Sequence, residues 1–162
     1  MLILNEPIDF AAHTGANLGA TEWLEITQEQ IDGFAELTGD DHWIHVDVTR
    51  AAREGPNGKT IAHGLFLLSL IPRMQRQLFR IESRGAGLNY GYEKVRFTAP
   101  VPVGSRVRLA QAVIGASAKG SGARIELQST IELEGSAKPA LVAHGVLLIS
   151  GAAAAAREAQ AR

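Results

Sequence analysis

From Gly87 onward apolar and polar residues alternate with period two, in stretches rich in Val, Ile and Leu. Such a pattern turns one face of an extended chain towards a core and the other towards water. Four strands are predicted: Leu88 to Thr98, Arg106 to Ala116, Ala123 to Leu133 and Ala140 to Ser150. Between them lie Pro100-Val101-Pro102-Val103-Gly104, Ala118-Lys119-Gly120-Ser121-Gly122 and Glu134-Gly135-Ser136-Ala137-Lys138, all turn material. Links that short predict antiparallel neighbours in a four-stranded meander. Thr21 to Ile26, with Trp23 and Leu24, supplies a fifth strand.

Helical spacing marks the earlier part of the chain. Thr27 followed by Gln30 has the form of a capping box, Ile31, Phe34, Ala35 and Leu37 give an apolar face, and Gly39 ends the helix. A turn-rich patch, Glu54 to Thr60, leads into a second helix over Ile61 to Phe79. Between Leu65 and Ile71 this segment is apolar on nearly every side, as expected of an element surrounded by protein. Pro72 removes an internal hydrogen bond and bends the helix, so that Arg73, Arg76 and Arg80 emerge towards solvent. A sheet wrapped around this helix buries both, an α+β architecture.

The 162 residues suit one domain over 1–150, followed by an alanine-rich tail over 151–162 that is helical or disordered. Sixteen basic and 17 acidic side chains nearly cancel without forming blocks, which argues against a nucleic-acid partner held by bulk charge. The absence of cysteine removes thiol nucleophiles, disulfides, iron–sulfur clusters and thiolate zinc sites. The first 20 residues carry Asn5, Glu6, Asp9 and His13 and lack the basic-then-apolar form of an export signal, so a cytoplasmic location is expected. Pro139 to Ala156 is only marginally long enough to cross a bilayer and reads better as a buried strand plus the tail, with no membrane partner. Gly58-Lys59-Thr60 lacks the upstream glycine of a phosphate-binding loop, because Arg53 stands there. Ala62-His63-Gly64-Leu65 and Ala143-His144-Gly145-Val146 begin similar octads in unrelated surroundings, a coincidence rather than a repeat.

The polar interruption between the two helices carries the candidate chemistry. Asp40 and His45 are unlike acids five residues apart, so one can accept a proton while the other donates it, which is what adding or removing water requires. Loops rich in Asp and His more often serve as caps and turns, so spacing alone is weak evidence. His42 and His45 have no convincing further ligand set beside them, and neither metal nor cofactor is expected.

Gly39-Asp40-Asp41-His42-Trp43-Ile44-His45 resembles the hydratase motif of the MaoC-like, or (R)-specific enoyl-CoA hydratase, family, in which Asp-x-x-x-x-His supplies both catalytic side chains. Ala62-His63-Gly64 is similar to the start of that family's central helix. Asn89-Tyr90-Gly91-Tyr92-Glu93-Lys94-Val95-Arg96-Phe97, with the Pro100 to Gly104 link, resembles the nodulation protein N branch. Where many family members have Asn-Pro inside the first motif this chain has His42-Trp43, and a structural role bridging the loop is expected of His42.

The resemblance spans roughly Trp23 to Ile149 and implies a hot-dog fold, a curved antiparallel sheet around a long central helix, paired into a homodimer. It implies reversible syn hydration of a trans-2-enoyl-CoA to the (R)-3-hydroxyacyl-CoA, with coenzyme A or acyl carrier protein as carrier. Asp40 and His45 then hold the water, and the Gly64 backbone N–H at a helix start stabilises the thioester oxyanion. His63, Asn89 and Tyr92 are candidates for supporting or substrate-binding roles, with His63 better explained as a structural histidine. Lys94, Arg96, Arg106 and Arg108 are solvated strand residues that include candidates for a coenzyme A phosphate contact. The alternatives are a hot-dog acyl-CoA thioesterase and a noncatalytic acyl-thioester-binding protein.

Overall fold

The computed structural model describes residues 1–152. In chain order the elements are β1 (Leu2–Leu4), a 3-10 turn (Pro7–His13), β2 (Asn17–Ala20), β3 (Leu24–Glu25), α1 (Gln28–Thr38), α2 (Trp43–Val46), α3 (Val48–Glu54), α4 (Gly64–Ser69), α5 (Ile71–Met74), β4 (Phe79–Ile81), β5 (Gly87–Phe97), β6 (Arg106–Lys119), β7 (Gly122–Leu133) and β8 (Leu141–Ile149). Past Ala152, the expectation for the tail lies outside the described residues.

Helix α1 forms where its caps predict. Thr27 accepts from the Gln30 backbone, Gln30 returns a bond to the Thr27 N–H, and Gly39 adopts the left-handed conformation at φ 76°. That last turn aims the chain into the loop carrying Asp40 and His45. His45 itself lies on the single helical turn α2, where a loop was expected.

The four long strands are found within three residues of their predicted ends, yet they are not a simple meander. β6, β7 and β8 follow one another, and β5 pairs with β8 at the far edge, giving the order β2-β6-β7-β8-β5 with β3 also on β6. The link after β5 is too firmly tied elsewhere to close a hairpin. The Val101 carbonyl accepts from Ala62 N–H, Val103 N–H donates to Thr60, Gly104 N–H donates to Ile26, and Ile61 bridges Pro102. The prolines at 100 and 102 donate no ladder bond. Of the fifth strand predicted over Thr21 to Ile26 only Leu24–Glu25 forms, as β3, and β2 at Asn17–Ala20 precedes the predicted range; both pair with β6.

The central helix is broken rather than bent. Pro72 has no N–H for the carbonyl four residues back, so α4 ends at Ser69, Leu70 tightens onto Leu67, and Pro72 becomes the second residue of α5. Phe79, expected to end the helix, starts β4, which pairs in parallel with β1. Leu65, expected to be enclosed, is 60% exposed.

Phe66, Leu67, Leu70, Ile71 and Met74 of the broken helix belong to one buried cluster with Val107, Leu109, Val113, Ile125, Leu127, Ile131 and Leu141 of the sheet. Each side chain of that kind contributes roughly 1.5–3 kcal/mol by leaving water, and together they hold the helix on one face of the sheet. This is the α+β architecture the patterning predicted. On the opposite face, Arg106 and Arg108 pair with Glu134 and Glu132 and lie over the Trp23 ring, so both are already engaged within the sheet. No helix among the described residues is long and apolar enough to cross a membrane.

Thr27→Ala removes one side of the α1 capping box and is expected to lower stability by about 1 kcal/mol. Urea denaturation with an unchanged slope and a lower midpoint is the expected result.

Candidate active site

Three backbone segments meet around the His45 ring. Its Nδ1–H donates to the Ile61 carbonyl at 2.7 Å, which leaves Nε2 with a free lone pair. The strand-like segment that holds Ile61 is itself locked, since Ile61 N–H donates to the Ile44 carbonyl and Ala62 N–H to Val101. From α1, the Gln28 amide donates to the His45 carbonyl at 2.8 Å and to Asp32 at 2.7 Å, while its oxygen accepts from Thr60 at 2.5 Å.

His63 is the N-cap of α4 and is 2% exposed. Its ring stacks on His45 with centroids 3.7 Å apart and planes 28° apart, and Phe34 of α1 packs nearby at 5.0 Å. Nε2–H donates to the Asp40 carbonyl at 2.8 Å, so the buried Nδ1 is left as an acceptor without a partner among the described residues. His63 therefore grips both candidate residues, Asp40 through its backbone and His45 through its ring face.

The Asp40 side chain is exposed, and its oxygen lies within 4.8 Å of ring nitrogens on His45 and His63. These three are the one group among the described residues with the proximity of metal ligands. Two imidazoles on one tetrahedral ion splay outward from it, so the His45–His63 stack would have to open to admit a metal. His45 titrates below the ordinary 6.5, chiefly because burial disfavours its charged form; the Ile61 bond works in the opposite direction. Neighbouring His63 adds to the lowering and Asp40 opposes it. The result is a neutral imidazole that presents a bare nitrogen beside a carboxylate.

Both groups open into a cavity of about 350 Å³, whose lining includes Gly64, Leu65, Leu67, Phe97 and Val101. Gly64 is the first residue of α4, where the backbone N–H has no intrahelical partner. A Cβ on Gly64 would lie 2.7 Å from the Phe97 ring, so close packing accounts for glycine at this position independently of what the N–H does. His42 is exposed, and its side chain makes no hydrogen bond among the described residues, so the bridging role expected of it is not found; its carbonyl accepts from His45 N–H at 2.9 Å only as the first bond of the α2 turn. Asn89 and Tyr92 bond one another at 3.1 Å and line a separate cavity, so within one chain they are not brought to Asp40.

Gln28, Thr60 and Phe34 support the site without having been singled out from sequence. Gln28 contacts partners 17 and 32 residues away, and neither spacing leaves a local trace.

The loop motif, its position after α1 and the α4 start agree with one family. The family profile described as "MaoC like domain" matches residues 9–137. The chain belongs to the MaoC-like dehydratase family. Among its relatives, 3-hydroxyacyl-thioester dehydratase Z of Mycobacterium tuberculosis is 49% identical over 140 residues, covering 86% of this chain and 92% of that protein. Nodulation protein N of Rhizobium leguminosarum bv. viciae is 39% identical over 143 residues, covering 87% and 89%. The unliganded R-hydratase of Pseudomonas aeruginosa superposes with a TM-score of 0.69 at 20% identity, covering 85% of this chain and 82% of that one, a likeness of fold. This MaoC-like chain thus has the hot-dog architecture that its motifs imply.

A proton NMR titration of the imidazoles is expected to place His45 below 6.5. Replacing His63 by Phe, which keeps a ring face but not the donor to Asp40, should leave that lowering largely in place, because burial is its main cause.

Proposed function

We propose that this MaoC-like protein is an (R)-specific enoyl-CoA hydratase, adding water reversibly and syn across the C2–C3 double bond of a trans-2-enoyl thioester. The observation that carries it is the fixed tautomer of His45: with Nδ1–H held by the Ile61 carbonyl, Nε2 is an acceptor beside the Asp40 carboxylate at the mouth of a cavity. Two acceptors facing one another hold one water by its two O–H groups.

In the forward direction His45 Nε2 takes a proton from that water as its oxygen bonds to C3. The electron pair of the double bond moves towards C2 and the thioester carbonyl, where negative charge collects on oxygen. The Gly64 N–H, at a helix start without an internal partner, is the donor proposed for that oxygen. The imidazolium then delivers its proton to C2 on the same face, so the atoms of one water are added and the base is restored. Dehydration runs the same steps backwards. The lowered pKa of His45 suits the role, since a base that is already neutral near pH 7 needs no prior loss of a proton. The thioester class is supported by the name of the 49%-identical relative, a 3-hydroxyacyl-thioester dehydratase.

The protein is proposed to act as a homodimer. β5 is an edge strand of 11 residues whose Leu88, Tyr90 and Phe97 side chains are exposed, and such an edge is normally covered or paired. Sedimentation should give twice the 17.3 kDa of the chain.

With crotonyl-CoA, loss of the enoyl absorbance measures hydration directly. Asp40→Asn and His45→Gln, in folded protein, are expected to lower turnover by about 10²–10⁴-fold. Free thiol released without hydration would instead select a thioesterase, and tight binding without either reaction a noncatalytic acyl binder.

A further inference from the structure

Helix α1 does not need the Gln28 side chain for its own start. Its capping box is made by Thr27 and Gln30, while Gln28, the first residue of the helix, reaches out of it. The Gln28 amide nitrogen donates to the His45 carbonyl at 2.8 Å and to Asp32 Oδ1 at 2.7 Å, and its oxygen accepts from the Thr60 hydroxyl at 2.5 Å. A backbone carbonyl only accepts, so the nitrogen must face His45 and the oxygen Thr60; one orientation of the amide satisfies both. Thr60 is 1% exposed, and its hydroxyl depends on Gln28 for a partner.

Both ends of this bridge bear on one ring. Gln28 holds the carbonyl of His45 directly. Thr60 immediately precedes Ile61, whose carbonyl accepts from His45 Nδ1 and leaves Nε2 bare. Among the described residues Gln28 is the one side chain bonded both to His45 and to the neighbour of its ring anchor. It lines neither the cavity at Asp40 and His45 nor the larger one, of about 550 Å³, beside Asn89 and Tyr92. Contact with a ligand in either cavity therefore does not account for it.

We infer that Gln28 is a positioning residue for His45: it holds the Ile61 carbonyl against Nδ1 and so keeps the ring in the tautomer that presents Nε2 as an acceptor. The inference rests on the reading of His45 as the base. With the bridge cut, the α2 turn and the Thr60–Ile61 segment shift against one another and the Nδ1 bond loosens. The neutral ring then also carries its proton on Nε2, a form with no lone pair for the shared water. Fewer molecules hold a competent base, while the surface that binds substrate is unchanged.

Gln28→Leu keeps most of the bulk and removes all three bonds. Its kcat on crotonyl-CoA is expected to fall about five- to tenfold, the value of one hydrogen bond, with KM held within about twofold. Thr60→Val should lower kcat in the same way, and the double variant should lose no more than Gln28→Leu alone, because both cut one bridge. Gln28→Glu keeps the acceptor for Thr60 and puts a carboxylate where a helix start favours it, yet has no donor for His45, so kcat should fall without loss of stability.

A second readout needs no turnover. Nitrogen NMR of histidine-labelled protein, with the His45 signals identified by their loss in His45→Gln, separates protonated from bare ring nitrogens. At a pH where the ring is neutral, wild type should show Nδ1 protonated and Nε2 bare, and Gln28→Leu and Gln28→Glu a mixture of the two forms. Wild-type kcat or unchanged His45 signals in folded Gln28→Glu would overturn the inference, as would a change confined to KM. If the wild type does not hydrate crotonyl-CoA but the variants alter the tautomer, the hydratase reading fails and the positioning of His45 stands. Should Gln28→Leu not fold, Gln28→Glu and Thr60→Val decide.

Discussion

The hydrogen bond from the His45 ring to the Ile61 carbonyl is the joint on which the candidate site turns. It sets which imidazole nitrogen is bare, and it ties the turn carrying His45 to the segment that enters the central helix. Because Ala62 N–H is bonded to Val101 and Thr60 to Gln28, that one contact links α1, α2, α4 and the Pro100–Gly104 link into a single frame. His63 adds a second hold from below, stacking on His45 and bonding the Asp40 backbone. Partial burial strengthens these bonds and lowers the His45 pKa by the same physical route, the scarcity of water around the ring.

The helix that makes this frame possible is two short pieces. Its break at Leu70, imposed by the missing N–H of Pro72, separates a Gly64 end that faces Asp40 and His45 from a Gln75 end that faces the larger cavity. An unbroken helix would carry one direction through the core. The sheet below is apolar along its inner rows except at Gln111 and Ser129, and those two lie under the second piece of the helix. Buried polar groups disfavour folding unless bonded, and these two bond one another, leaving only Gln111 Oε1 without a partner among the described residues.

Much of this was legible in the residues. Period-two alternation located the four long strands, because the pleat repeats every second residue whatever lies next to it. Thr27, Gln30 and Gly39 located α1, since caps act within one turn of chain. The motif from Gly39 to His45, with Ala62-His63-Gly64, singled out Asp40, His45 and Gly64, and the fold places all three on one cavity. Strand order was not legible: β5 pairs with β8 because its outgoing link is held by Thr60, Ala62 and Ile26, contacts remote in sequence. Gln28 and Thr60 escaped notice for the same reason, and Asn89 and Tyr92 carry no local sign of which cavity they will line.

The octads beginning Ala62-His63-Gly64 and Ala143-His144-Gly145 show where the division falls. Nearly the same residues start a helix in one place and continue a strand in the other. His63 is sealed between His45 and Phe34, whereas His144 bonds Glu126 on the outer sheet face. The chain by itself determined periodicity, caps and the proximity of Asp40 to His45, all of which depend on interactions within a few residues. Tertiary structure alone decided strand pairing, the tautomer of His45, the burial of His63 and the separation of two cavities. Those depend on which distant groups share a desolvated space, and apolar burial is non-directional, so it specifies that segments meet without encoding which segment meets which.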